Sequence, residues 1–346
     1  MSQNGNAGSS QAPSKQVAAA LGRVHEASAR AGTRIDTGTG LVQDANGTTI
    51  PVATSLVTQM GGPSIRVLIA RTFVIDAVVI VGSNPIAFVA AEEILVTGTI
   101  SVAAVGITAG PGAVEAGTCV AQSGYQYSAG ACGLGMVGLG GGGNATVGGQ
   151  GGASSFAVGE VVTGNGPLKG GCRGGSNLDP TQTSVAKKGG GGGGALQLVA
   201  ARSITLRAGA VINAAGGGGE HTAGGGSGGL VILESPLVTT ETASGIAANG
   251  GSGGGCSISG SDGPPTTSSA VAPNCQYFFA GRGGTALMLP GSGCEISTTC
   301  GMNHCPPQYG GGGGAVGRLR VATNSGGFAN SGFVSAALET AILTIN

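Results

Sequence analysis

Short apolar runs interleaved with polar positions recur along the chain. Residues 65–75 read IRVLIARTFVI, 86–96 IAFVAAEEILV, 196–206 LQLVAARSITL and 230–239 LVILESPLVT. Each contains a stretch of four or five residues, a polar corner of two or three, and a second stretch. A third stretch often follows, at Thr99–Val102, Ala210–Asn213 and Ser244–Ala247. Val67 and Ile69, like Leu196 and Leu198, fall on one side, and Arg66 and Gln197 on the other. That period of two marks β-strands, and the many β-branched residues favour the same reading. One short strand with one apolar face cannot bury it, whereas coils stacked in register can. The first two copies begin 21 residues apart, at Ile65 and Ile86, which fits one coil. The pattern predicts an all-β, single-domain parallel solenoid. Stacking those two coils would bring Arg71 near Glu92 on the outer face.

Glycine tracts sit at one place in this pattern. Gly189–Gly194 runs into Ala195, Gly224–Gly229 (broken by Ser227) into Leu230, and Gly310–Gly314 into Ala315. Other tracts leave the third stretch, as at Gly216–Gly219 and Gly250-Gly251. Long glycine-rich loops therefore leave and rejoin the solenoid at equivalent corners. Glycine makes up 74 of 346 residues, about three times its ordinary share. It tolerates positive φ and lets backbones approach closely. Its entropic cost predicts loops that are either mobile or stacked on one another. The stacked alternative is an extended three-fold form held by main-chain and Cα–H contacts.

The termini read differently. Residues 1–14 read as a flexible tether and 15–62 as an N-terminal cap. In the cap, Val17, Leu21, Val24, Ala27 and Ala31 have helical spacing, and Gly32 would stop the helix. Asn46-Gly47 marks a hairpin turn between Leu41-Val42 and Ile50–Val52. Residues 63–346 form the predicted solenoid, with a large loop insertion at about 106–188 and a final strand at 341–346.

Charged residues are only 9% of the chain, the net charge is zero and the hydrophobic share is 40%. That excludes the low-hydrophobicity, highly charged composition of disorder. The glycines keep no triplet period, which excludes collagen. Without a basic run there is no footprint for nucleic acid or an anionic membrane. No apolar run approaches the ~20 residues of a membrane helix, and Val17–Leu21 is too short for a signal-peptide core.

Eight cysteines, Cys119, Cys132, Cys172, Cys256, Cys275, Cys294, Cys300 and Cys305, all fall in the glycine-rich connections. Loop positions suit disulfide staples, which imply an oxidising compartment. Cys294, Cys300, His304 and Cys305 offer soft zinc ligands, but no Cys-x-x-Cys pairing is present, so disulfides are the reading and no metal is expected.

At the strands and their flanks the chain resembles a group of glycine-rich β-helical surface proteins common among predicted secreted or lipoprotein products of myxobacteria. The likeness rests on Gly189–Gly194 with Ala195–Val199, the Ile212–Gly216 segment INAAG, residues 228–236 (GGLVILESP) and Gly310–Gly314 with Ala315–Arg320. It covers roughly residues 65–105 and 190–346. It implies a right-handed parallel β-helix on the cell surface, and it carries over no catalytic residue.

Other chemical signals are sparse. The glycine clusters match phosphate-binding spacing only by chance, since Gly189–Gly194 is not followed by Lys-Ser/Thr and no strand–loop–helix unit is present. Glu220-His221 could transfer protons but has no visible partner, and His25 lies on the expected helix. Strand charges such as Asp76, Glu92, Glu93, Arg202, Arg207 and Glu234 are scattered singly, without the paired carboxylates of a glycosidase. Thr97-Gly-Thr99 is a lone ice-binding-type pair. Tyr125, Tyr127, Tyr277, Phe278, Phe279 and Tyr309 are loop aromatics that a rigid scaffold could present to a ligand. The sequence thus predicts a non-enzymatic extracellular or cell-surface structural or adhesive protein without cofactor. Its expected partners are surface glycans or copies of itself. The alternatives are a polysaccharide lyase or glycosidase on the same scaffold, a self-assembling filament or coat subunit, and a phage-type receptor-binding tip with packed glycine helices.

Overall fold

The computed structural model describes residues 26–121, 124–125, 127–128, 134–135, 138–152, 158–163, 166–178, 187–255, 258–275, 278–293 and 310–343. Of residues 124–125, 127–128, 134–135, 177–178, 275 and 278–279 only the backbone is described. The regular structure among them is all β. Three sheets carry the fold. The first holds Ala53–Val57, Ile65–Ala70, Ile86–Ala90, Ala195–Ala200, Leu230–Glu234, Arg318–Thr323 and Ala337–Ile342. The second holds Ala27–Ala29, Phe73–Ile75, Glu93–Val96, Ser203–Leu206, Leu237–Thr240 and Phe328–Asn330. The third holds Val42–Gln43, Thr33–Asp36, Val78–Val81, Thr99–Ser101, Val211–Asn213, Gly245–Ala247 and Phe333–Ser335.

From Ile65 onward the chain visits the sheets in strict rotation, and each strand pairs in parallel with its counterparts one circuit away. Leu68, Phe88, Leu198, Leu233 and Val321 form one inward column, joined from the second sheet by Ile94, Ile204 and Val238 and from the third by Ile100, Ile212 and Ile246. These side chains are almost wholly buried in one continuous core. Burying one Leu or Ile is worth about 1.5–3 kcal/mol, so a circuit with one such residue per sheet stabilises itself only when stacked. The first circuit is overlaid by antiparallel strands: Val42–Gln43 on the third sheet and Ala53–Val57 on the first.

Two sequence expectations need correction. Ile86 pairs with Arg66, not Ile65. That shift of one residue turns the strand over: Leu68 and Ala70 face the core, while Val67 stacks outside with Ala87 and Gln197. The segment is apolar on both faces, so alternation alone could not choose between them. Arg66 belongs to the inward row at the first circuit and is 8% exposed. Its guanidinium donates to the Thr37 and Gly38 carbonyls at 3.0 and 2.8 Å, which offsets its burial. The second correction concerns the helix expected over 15–31. Residues 15–25 lie outside the described residues, and Ala27–Ala29 is a strand paired with Phe73–Ile75. Gly32 (φ +83°) makes the corner into Thr33–Asp36 where a helix stop was expected.

Other expectations hold. The Asn46-Gly47 turn is closed by the Ile50 N–H donating to the Val42 carbonyl at 2.8 Å, with Gly47 at φ +80°. Arg71 and Glu92 meet at 3.1 Å, and Arg202 extends the column with a nitrogen 3.9 Å from the same carboxylate oxygen. A final strand is present but sits earlier than expected: it is Ala337–Ile342, which shares only 341–342 with the expected 341–346 and ends before Leu343, while residues 344–346 lie outside the described residues.

Candidate functional site

The loops leave after the third-sheet strand and return before the first-sheet strand, at 102–194, 214–229 and 248–317, and their described glycine segments form a packed layer. Its hydrogen bonds repeat every three residues. Gly190 and Gly193 donate to Gly224 and Ser227, Gly225 and Gly228 to Gly312 and Ala315, and Gly226 and Gly229 to Gly217 and Ala214, at 2.7–2.9 Å. Three is the period of the extended three-fold helix. The loops therefore stack, as one of the two sequence alternatives had it.

The segment 223–229 occupies the middle of this layer. The N–H groups of Gly224, Gly225 and Gly226 donate to Gly175, Gly312 and Gly217 respectively. Their Cα faces press on the carbonyl oxygens of Gly140, Gly251 and Gly191, where an added Cβ would stand 1.9, 2.2 and 2.0 Å away. Six separate segments thus surround one, three through N–H donors and three through Cα–H contacts. None of these glycines has positive φ. They are glycine because the backbones touch.

A few side chains punctuate the layer, and the sequence reading passed them over. Asn144 donates to the Gly228 carbonyl at 2.6 Å. Ser227 accepts from the Cys172 N–H at 2.7 Å. Asp262 caps two circuits, accepting from the Gly106 and Gly218 N–H groups at 2.8 and 2.9 Å. All three residues stood in the sequence as polar interruptions of glycine-rich stretches, which was the available signal.

Of the predicted staples, Cys119 and Cys172 form a disulfide with a Cα–Cα distance of 5.7 Å, buried in the layer. Cys132, Cys256, Cys294, Cys300 and Cys305 lie outside the described residues, as do His25, His304, Tyr277 and Tyr309; Cys275 is described by its backbone only. The backbones of Tyr125 and Tyr127 belong to two-residue strands paired with Asn177–Leu178 and Leu134–Gly135, and Phe278–Phe279 pairs with Asn274–Cys275. The structure therefore places four of the six aromatics in the loop layer without bringing them into one pairing.

The described carboxylates that have close partners face cations or N–H donors. Glu115 meets Arg173, Glu241 meets Arg207 at 2.7 Å and Glu339 meets Arg318 at 2.8 Å. Glu234 accepts from Gln197 at 3.0 Å, and Glu220 from the Lys188 N–H at 3.0 Å. The Arg207 hydrogen bond holds Glu241 below the usual carboxylate range. His221, at φ +47°, is held below its ordinary value by partial burial and by Lys187, against the pull of Glu220. Among the described residues no group of three or more His, Cys, Asp or Glu gathers to hold a metal ion, and no helix is long and apolar enough to cross a membrane. Neither a family model, a curated protein nor a solved structure matches this chain.

Proposed function

We propose that the chain winds as a right-handed parallel β-helix and works outside the cell or on its surface, as a non-enzymatic structural and adhesive element of the kind its glycine-rich relatives by resemblance suggest. The observation that carries this reading is the glycine layer with its buried Cys119–Cys172 disulfide. Disulfides persist in oxidising compartments, and parallel crossovers are overwhelmingly right-handed. A layer packed on all sides gives loops a rigid mount, the usual arrangement for contact residues. Glycoside hydrolysis needs two carboxylates within about 5–9.5 Å of each other, whereas the partners found for these carboxylates are cations and N–H groups. The partners proposed are surface glycans or further copies of the chain. The test is intact mass after alkylation of natively isolated protein, with and without reduction, together with its fractionation. Thiols blocked until reduction, in an exported protein, support the reading. Freely alkylating cysteines in a cytosolic protein overturn it.

The packed glycine segments favour a second reading, the receptor-binding tip of a phage-type particle, which co-purification with particles would distinguish. Self-association has its own support. Among the described residues no strand pairs with the outer edge of Ala337–Ile342, and Leu338 and Ile342 are exposed there. Size exclusion at several concentrations tests it.

A further inference from the structure

We infer that the outer edge of Ala337–Ile342 pairs with the same strand of a second copy of the chain, antiparallel, about a twofold axis through Thr340. This rests on the reading that further copies of the chain are among its partners, and it names the surface and the register.

Backbone alternation defines the edge. The Ala337 and Leu343 N–H groups donate to the Gly317 and Thr323 carbonyls of the preceding circuit, both at 2.9 Å. Neighbouring residues of a strand turn their N–H and C=O groups to opposite edges. Leu338, Thr340 and Ile342 therefore turn theirs to the outer edge, where no described strand meets them. The same three residues continue the inward row, in register with Leu319, Val321 and Thr323, which are all buried. Leu338 is nonetheless 45% exposed and Ile342 74%. Open backbone groups and uncovered core positions thus fall on the same residues. A strand that pairs with this backbone also lays its own side chains beside them.

The strand is complementary to itself in one register. Setting Thr340 opposite its own copy sets Leu338 opposite Ile342, so the two exposed apolar side chains meet across the pair. Each of the three residues then exchanges both of its outward hydrogen bonds with a partner. Glu339 falls opposite Ala341, which leaves its carboxylate on the Arg318 guanidinium at 3.1 and 2.8 Å. Sliding the copies by two residues leaves either Leu338 or Ile342 without a partner in the strand, and one of the two slides sets Glu339 against Glu339, a like-charge pair. Sliding by one residue sets the outward N–H groups against peptide groups that point away. The same sheet is closed at its other end by an antiparallel strand, Ala53–Val57 on Ile65–Ala70. An isologous contact of this kind stops at two copies.

Sedimentation velocity of the oxidised full chain over a range of concentrations tests this. The expected result is a monomer–dimer equilibrium. Thr340→Pro removes an N–H that faces outward, which a lone edge strand tolerates. It should raise the dissociation constant about thirtyfold or more, since both hydrogen bonds at the axis are lost. Leu338→Lys/Ile342→Lys should abolish the dimer by placing charges on the edge. Leu56→Lys, on the strand at the other end of the sheet and 51% exposed, should leave it unchanged. A cooperative denaturant transition in each variant shows that it still folds. A dimer that survives Thr340→Pro, or a chain of many copies that Leu56→Lys breaks, overturns the twofold pairing while leaving self-association standing. A monomer at every concentration overturns both, and leaves the export reading to the thiol experiment.

Discussion

Replacing Gly226 by alanine puts the packed layer to its sharpest test. The new Cβ would stand 2.0 Å from the Gly191 carbonyl oxygen and 2.7 Å from that of Gly190, where real Cβ contacts begin near 3.0 Å. One backbone must move by about an ångström. Gly191 has nowhere to go: its N–H is bonded to Gly106 at 2.9 Å, its carbonyl to Gly217 at 2.8 Å, and Ala109 presses on its other side. Overpacking of this kind costs about 1–3 kcal/mol. Displacing Gly226 also strains its bonds to Gly217 and from Gly251, both 2.9 Å, each worth about 1 kcal/mol. The expected loss is thus about 3–5 kcal/mol, a large part of the ~5–15 kcal/mol that holds a typical domain.

Two companion variants separate contact from conformation. Gly209 has φ +81° but open space around it, so Gly209→Ala should cost about 1–2 kcal/mol from the left-handed backbone alone. Gly166 has neither constraint, so Gly166→Ala should be neutral or stabilise by about 0.4–1 kcal/mol through the unfolded chain. Denaturant unfolding of the oxidised proteins ranks them. If Gly226→Ala unfolds together with Gly166→Ala, the layer is not packed as described and the argument for its glycines fails.

The disulfide spans 53 residues, and chain entropy assigns such a loop about 4 kcal/mol; the Cys119→Ala/Cys172→Ala variant should show a lower unfolding midpoint, and an unchanged midpoint would place the constraint elsewhere. Asp36 is held below its ordinary range chiefly by the Thr39 N–H, with the Gly38 N–H assisting. A carboxylate with a depressed folded pKa contributes stability above its unfolded value, near 3.8, and loses it as pH falls through the folded value. Unfolding of Asp36→Asn compared with the parent between pH 5 and pH 2, a window set by ~3.9 for a free carboxyl, should therefore show a shallower acid loss for the variant, since asparagine keeps the turn without titrating. In the Arg71–Glu92–Arg202 column the arginine side chains are 60% and 71% exposed, so Glu92→Gln should cost under ~1 kcal/mol and less still in high salt; a loss of several kcal/mol, read by the same unfolding assay, would mean the column is far better shielded than its exposure says.

The strands were legible because a half-buried strand writes its period into the sequence, and the repeated corners revealed the stacking. Register was legible only where one face is polar. Gln197 between Leu196 and Leu198 fixes its strand, whereas Val67, Leu68 and Ile69 offer two apolar faces, and the choice fell to tertiary packing around Arg66. In the layer the difficulty is different in kind. A glycine tract carries no side-chain information, and a three-fold segment can slide by one residue and find the same donors and acceptors again. Uniform backbones therefore specify that they stack but not which meets which, just as featureless strands leave register weakly specified.

Something must break that degeneracy, and the buried polar interruptions are placed to do it. The Asn249 amide nitrogen reaches the carbonyls of Pro264 and Thr266 at 2.7 and 2.6 Å, and its Oδ1 accepts from the Ser335 hydroxyl at 2.5 Å. These contacts tie the start of the third loop both to its own return segment and to the last circuit of the core. A slip of one residue would leave that fully buried amide unpaired, at a penalty of about 1–3 kcal/mol. Asn144 on Gly228 and Ser227 on Cys172 impose the same penalty at two other points. The glycines thus set how closely the layer packs, and the few asparagines and serines among them set its alignment.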